Sequence, residues 1–326
     1  MTDLARPAVD LWSDDLRPDP HPSYHQLRSE APVFEGIGPE TGRSFWFLTR
    51  YDDVVEALRN PLLGREVDRL PEPLQGQHRF EGEELMAMVN QHMLNADPPD
   101  HTRLRRLVSR AFTTNRIADL EPRIRQMADD LIDAMGDEPD LIHDYALPIP
   151  VTVIAELLGV PVDDLDAFRA MIDGFLRPAS EGAGMAAAMQ MVQYVNSAID
   201  ARAAEPGDDL LSALIHLEEE GDRLDRAELM SMVNLLVIAG HETTVNLIGN
   251  GTLELLRHPE QMALLRSEPE RIDTAIEEMV RYNGPVETPF PRFAYEDLEL
   301  RGVSVPQGDM VIPVLAAANR DPEAFD

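Results

Sequence analysis

The chain has 326 residues with an ordinary 44% apolar content, enough to bury a sizeable core in one large or two smaller domains. Its 28 basic and 60 acidic residues give a formal charge of −32, and no lysine occurs, which argues against bulk binding to nucleic acid or anionic membranes. The absence of cysteine excludes disulfides, zinc–thiolate sites and cysteine nucleophiles, and no run of about 18 apolar residues or amino-terminal signal pattern occurs, so a soluble cytoplasmic protein is expected.

In chain order, SYHQLRSEAPVF predicts a helix turning into a strand. SFWFLTR predicts a strand, and YDDVVEALRN a short helix closed by Pro61. Residues 64–84 are rich in charge, proline and glycine and read as a loop. From about residue 101 helical periodicity dominates. HTRLRRLVSRAF places Leu104, Leu107, Val108 and Ala111 on one face. IRQMADDLIDAM, VTVIAELLGV, DDLDAFRAMIDGFL and GMAAAMQMVQYVNSAIDARAA continue the pattern. The longest pattern follows Asp225. Asp225 and Glu228 have the spacing of a capping box, with aspartate in place of serine or threonine, and Pro259 follows the end. PERIDTAIEEMVRYNGP predicts another helix, stopped at Gly284-Pro285. Strand-like pieces follow in ELRGVSVPQGDMVIPVL, with a turn at Pro-Gln-Gly-Asp. No internal repeat, low-complexity segment or interdomain linker is apparent, so 1–326 reads as a single domain.

The long helix carries an unusual centre, LLVIAGHETTVN. Glycine costs about 1 kcal/mol relative to alanine inside a helix. A threonine hydroxyl can bond back to the carbonyl one turn earlier, and an acid in an apolar setting needs a partner or water. These features coincide at Gly240, Glu242, Thr243 and Thr244. Two readings stand at this level. The helix is locally opened beside a ligand or water chain, as at many π-bulges, with an acid and an alcohol placed to deliver protons. Alternatively, this is a surface turn with Glu242 solvated. A zinc-protease helix is excluded, because position 245 is valine where a second histidine is needed.

AGHETT on a long helix resembles the oxygen-binding helix of the cytochrome P-450 superfamily, the haem-thiolate monooxygenases. DPPDHTRLRRLVSRAF looks like that family's propionate-contacting helix, and EEMVR contains its E-x-x-R pair. PFPRFAYEDLELRGVSVPQGDMVIP looks like the strand segment that follows. DDLLSALIHLEEEGDRLDRAEL resembles the approach to the central helix in soluble bacterial members. The resemblance covers essentially the whole chain. It implies a mainly α fold with small β-sheets (α+β) and the cofactor haem b.

By the same resemblance, Glu242 and Thr243 would be the acid–alcohol pair that steers protons to bound dioxygen. Ala239 and Gly240 would let the helix approach the haem. His101, Arg105 and Arg292 would hold the propionates. Glu278 and Arg281 would be a buried structural pair. Leu235, Ile238, Val286 and Thr288 would line the substrate pocket, together with the Met-bearing ELMAMVNQHML segment. The substrate would be an apolar or macrocyclic organic molecule oxidised with O₂, with electrons from NAD(P)H through a reductase and a ferredoxin, and the protein a monomer. The arginines at 103, 105, 106, 110 and 116 would dock the acidic donor or form a solvated face.

The family holds its iron through a cysteine in a glycine-rich loop. This chain has no cysteine, and no histidine stands at a matching position; His241 falls on the oxygen side. The expectation is therefore a P-450 fold lacking its C-terminal Cys-loop segment, with no turnover in this form. The alternatives are a short chain that binds a ligand or partner without redox chemistry, and a haem protein with another axial ligand.

Overall fold

The computed structural model describes residues 11, 13, 16, 18–38, 42–78, 91–160, 165–176, 180–218 and 221–325. The chain forms two compact units. One combines Met1–Arg79 with Asn250–Asp326, and the other is Phe80–Gly249.

The first unit is built on a five-stranded mixed sheet. Its strands are β1 (Val33–Ile37), β2 (Ser44–Leu48), β3 (Leu63–Gly64), β4 (Arg292–Ala294) and β7 (Met310–Pro313), in the order β1-β2-β7-β4-β3. β2 and β7 run parallel, with Phe45 opposite Met310 and Leu48 opposite Pro313; the other pairs are antiparallel. Successive side chains of a strand face opposite sides, and in β2 both sides are buried. Trp46 and Leu48 join a core with Val54, Ala57 and Val311. Phe45 and Phe47 join another with Tyr24, Leu27 and Ile312. β5 (Leu298–Leu300) and β6 (Val303–Val305) form a separate hairpin. Its two turn residues, Arg301 and Gly302, have φ of 50° and 79°, the primed turn that matches the twist of paired strands. Arg301 Nε donates to Asp53 Oδ2 at 2.7 Å, which holds the unusual arginine conformation against helix Tyr51–Arg59.

Helix Glu72–His78 and a 3₁₀ turn at Val67–Arg69 occupy part of the stretch expected to be a loop. The helix buries none of its residues, so it leaves no apolar periodicity in the sequence. Residues 79–84 of that stretch, and most of ELMAMVNQHML, lie outside the described residues.

The second unit is helical. Helix Asp100–Ala111 buries Leu104, Leu107, Val108 and Ala111, the expected face. These side chains share a core with Val151 and Ile154 of helix Pro148–Leu157, Phe168 and Ile172 of helix Leu165–Leu176, and Val195 and Ile199 of helix Glu181–Ala204. A five-residue π turn, Ile142–Ala146, leads into helix Pro148–Leu157.

The central helix runs Arg226–Arg257, 32 residues, and the boundary between the two units falls within it. Its start is a reciprocal capping box. The Glu228 N–H donates to Asp225 Oδ1 at 2.8 Å, and the Asp225 N–H donates to Glu228 Oε2 at 3.0 Å. From Leu229 to Leu235 the helix is buried, with Met232 and Val237 wholly so.

Candidate functional site

The polar centre of the central helix stays α-helical throughout. The expected local opening is corrected by the hydroxyl bonds. Thr243 Oγ1 donates to the carbonyl of Ala239 at 2.5 Å, and Thr244 Oγ1 donates to that of Gly240 at 2.9 Å. Both hydroxyls add to the ladder without interrupting it. Gly240 has a packing reason: a Cβ there would lie 3.1 Å from Ile154 Cδ1 of the neighbouring helix. Burial then changes along one face. Leu235 is buried, Ile238 half-buried, and Ala239 and Glu242 are exposed, with Thr243 half-buried beside them. A helix buried over its preceding two turns thus opens at the small residue and the acid. His241, on another face, is 2% exposed.

His101 is half-buried and Arg105 exposed, one turn apart on helix Asp100–Ala111. The neighbouring arginine has partners. Arg103 bonds to Glu228 at the start of the central helix, and its Nη1 lies 3.2 Å from Asp222 Oδ1. Arg106 Nη2 is 3.7 Å from the same carboxylate. The arginine run is therefore partly neutralised, not a free positive face. Arg103 has a structural role that the sequence reading missed: it clamps this helix to the head of the central helix. No local signal marks it, because Asp222 and Glu228 lie more than a hundred residues along the chain.

In the first unit, Arg292 lies in β4, half-buried, and donates to the carbonyl of Leu63 at 3.1 Å. That neutral acceptor leaves its charge uncompensated. Glu278 and Arg281 do form their pair, at 2.6 and 2.7 Å, but the glutamate side chain is 58% exposed. The expectation of a buried pair is corrected, because nothing among the described residues covers that side of helix Ile272–Asn283. The pair still does structural work. Its hydrogen bonds hold the Glu278 carboxyl below the usual range, and Arg281 also donates to the carbonyl of Asn319. Val286 and Thr288 follow the helix and are both exposed. Thr288 borders a cleft of about 990 Å³ in this unit, lined also by His21, Tyr24, Leu253, Glu287 and Arg320. There the Tyr24 hydroxyl donates to the Glu287 carboxylate, a contact between residues 263 apart that no local sequence signal marks.

The structure brings Leu235, Ile238, Ala239, Gly240, Glu242 and Thr243 together on one helix, and His101 with Arg105 on another, within the second unit. Arg292, Val286, Thr288, Glu278 and Arg281 belong to the first. Among the described residues Arg105, His101 and Arg292 have no carboxylate partner, in contrast to Arg103, Arg202, Arg226 and Arg301. Each can therefore receive an external anion, such as a haem carboxylate, without breaking an existing ion pair. The iron of that group finds no thiolate, because there is no cysteine. Among the described residues no cluster of three or more His, Asp or Glu could hold a metal ion, and no helix is long and apolar enough to cross a membrane.

The family model for cytochrome P-450 matches residues 153–326. The chain is 42% identical to the cytochrome P-450 monooxygenase PikC of Streptomyces venezuelae, over 99% of this chain and 77% of that protein. It is 44% identical to the vitamin D(3) 25-hydroxylase of Pseudonocardia autotrophica, over 96% of this chain and 76% of that one. Among solved structures, the polyketide synthase cytochrome P-450 PksS of Bacillus subtilis superposes with a TM-score of 0.88 at 37% identity, covering 96% of this chain and 79% of that one. About a fifth to a quarter of each of these relatives lies outside the match.

Proposed function

Since the chain belongs to the cytochrome P-450 family, we propose that residues 1–326 form most of a single soluble bacterial monooxygenase domain, one that oxidises an apolar or macrocyclic organic molecule with O₂. Relatives point to this substrate class: the similar structures include a myxobacterial member in complex with myristic acid and another, TamI, bound to tirandamycin C. The observation that carries the proposal is the exposure of Ala239 and Glu242 on a helix buried over its preceding turns, with the Thr243 hydroxyl bonded beside them.

Haem b, when bound, supplies the dioxygen and electron-transfer chemistry that side chains lack. His101, Arg105 and Arg292 would hold its propionates. Ala239 and Gly240 present almost no side chain to its face. Exposed Glu242 exchanges protons with solvent. Thr243 uses its hydroxyl hydrogen on Ala239, so its oxygen keeps lone pairs free to accept the next proton in the relay. Leu235, Ile238, Val286 and Thr288 would contact the substrate. Electrons would come from NAD(P)H through a reductase and ferredoxin, to a monomer in the cytoplasm. The iron ligand must come from sequence outside these residues, so the chain alone is expected not to turn over.

Two measurements test this. The intact mass of the protein from its native source should exceed that of 326 residues. Haem titration of a version extended with the unmatched part of PikC should give the red-shifted thiolate band after reduction with CO. Arg105→Ala and Arg292→Ala should each weaken haem uptake about tenfold, the loss of roughly one charge-assisted contact. A native mass equal to that of the 326 residues, or an extended protein that takes up no haem, overturns the proposal.

A further inference from the structure

The buried half of the central helix is not wholly apolar. From Leu229 to Ile238 it reads LMSMVNLLVI, with Ser231 and Asn234 as its polar residues. Both are buried, at 0% and 2% exposure. Ser231 has a partner: its Oγ accepts the N–H of Gln91 at 3.2 Å. Asn234 differs. Its Oδ1 and Nδ2 are both shut off from the surface, and neither meets a hydrogen-bonding group among the described residues. Other buried polar side chains of this unit are matched. Thr152 Oγ1 accepts from Arg169 at 2.7 Å, Ser212 Oγ accepts the Gly207 N–H at 2.9 Å, and Asp209 caps a helix.

A buried amide that makes none of its hydrogen bonds costs stability. Leucine has a similar volume, is the better helix former and would suit this run. The amide therefore has a use that folding does not supply.

Its place on the helix says what use. Asn234 precedes Leu235 and stands one turn before Ile238, on the same face. Those two side chains are the ones assigned above to the substrate. One turn in the other direction, Met230 Sδ lies 3.2 Å from Asn196 Nδ2 of helix Glu181–Ala204. Asn234 thus sits where the helix passes from packing against that neighbour to half-buried Ile238 and exposed Ala239.

We propose that Asn234 is a specificity-determining residue. Its Nδ2 donates to a ketone or lactone carbonyl oxygen of an otherwise apolar substrate, and its Oδ1 can take a hydroxyl hydrogen of the same molecule. A few placed polar groups in an apolar pocket fix a ligand's orientation, so this amide sets which carbon is presented for oxidation. The substrate is then an oxygenated ring or chain, not a plain hydrocarbon. The inference rests on the monooxygenase reading for what the ligand is; the unpaired buried amide does not.

The test uses the protein at its native length and equilibrium dialysis of cyclododecanone and cyclododecane, which differ by one carbonyl oxygen. The ratio of the two dissociation constants, ketone over hydrocarbon, should rise at least tenfold in Asn234→Leu. The ratio cancels the different hydration of the two rings. The thermal midpoint of the ligand-free variant should stay level or rise. If the leucine variant does not fold, Asn234→Ala carries the same comparison. An unchanged ratio overturns the inference, as does a parent protein that binds neither ring. An unchanged ratio with a lowered midpoint would make the amide a structural group bridged by water, which also overturns it. Haem uptake is read separately. A ratio that rises in a protein without the thiolate band would sink the monooxygenase proposal and leave the role of Asn234 standing; the band with an unchanged ratio would do the reverse.

Discussion

Thr243 Oγ1 donates a 2.5 Å hydrogen bond to the carbonyl of Ala239, one turn back on the central helix. The bond fixes the hydroxyl rotor, next in sequence to exposed Glu242. Replacement by alanine removes the oxygen but gives a better helix former, worth about 0.5 kcal/mol. Thr243→Ala should therefore keep or slightly raise the thermal midpoint. In the extended, haem-loaded protein it should lower product formation about 10²-fold, the usual scale of a lost proton-transfer group, while Thr243→Ser keeps most activity. Melting curves and product yield per NAD(P)H check the two halves separately.

Half-buried Arg202 and buried Asp209 form a clamp in the second unit. Nε lies 2.5 Å from Asp209 Oδ2, and Nη2 reaches the carbonyl of Gly159 at 2.5 Å. Asp209 is 8% exposed and also accepts the Ser212 N–H at 2.7 Å, capping helix Leu210–His216. Removing one member of such a pair strands the other. Arg202→Ala should cost about 3 kcal/mol, and Arg202→Ala with Asp209→Asn should recover part of it. Urea unfolding of the three proteins measures the difference.

Gly284 ends helix Ile272–Asn283 with φ −67° and ψ 160°, a conformation open to any residue. Its constraint is space. A Cβ there would stand 2.2 Å from the backbone carbonyl oxygen of Val280. Backbone cannot swing aside as a side chain can, so Gly284→Ala should destabilise by about 1–3 kcal/mol. Gly240→Ala provides the contrast. Its Cβ meets the flexible end of Ile154, and the helix gains about 1 kcal/mol from losing a glycine, so its midpoint should stay near that of the parent.

Tyr24 is 3% exposed, and burial followed by its bond to Glu287 raises its pKa. The folded protein keeps the phenol proton above about pH 10, where the unfolded chain releases it. The unfolded state then binds fewer protons, so stability falls as pH rises past that value. Tyr24→Phe should cost about 1 kcal/mol at pH 8 through the lost hydrogen bond. The gap should narrow or reverse by pH 11, and urea midpoints at the two pH values show whether it does.

The sequence was most legible where one periodicity ran unbroken. The Leu104–Ala111 face, the Asp225–Glu228 box and the stop at Gly284 all appear as expected. Each is a local device, and local devices write themselves into neighbouring residues. Helix Glu72–His78 was missed because it buries none of its own residues. The central helix was expected to open because glycine, acid and hydroxyls signal conflict, but the hydroxyls resolve it by bonding within the helix. At the site, the residue types on the central helix were readable. The partners of the arginines were not, because Arg103 finds Asp222 and Glu228 more than a hundred residues away. Pairings such as β2 with β7 depend on contacts of that range.

The place of β7 in the sheet also has a meaning in time. β2 is complete when residue 48 has been made, but the strand that lies along it in parallel begins at Met310. At about 5–20 residues per second, a ribosome needs tens of seconds to cover that distance. Meanwhile the contiguous unit 80–249 can close by itself, while the FWFL edge of β2 remains an open template for wrong strands. Synthesis in the cell therefore favours conditions that keep this hairpin shielded, by a chaperone or by slow delivery, until β7 has been made. The yield of native protein should be set by that wait more than by the stability of the finished fold.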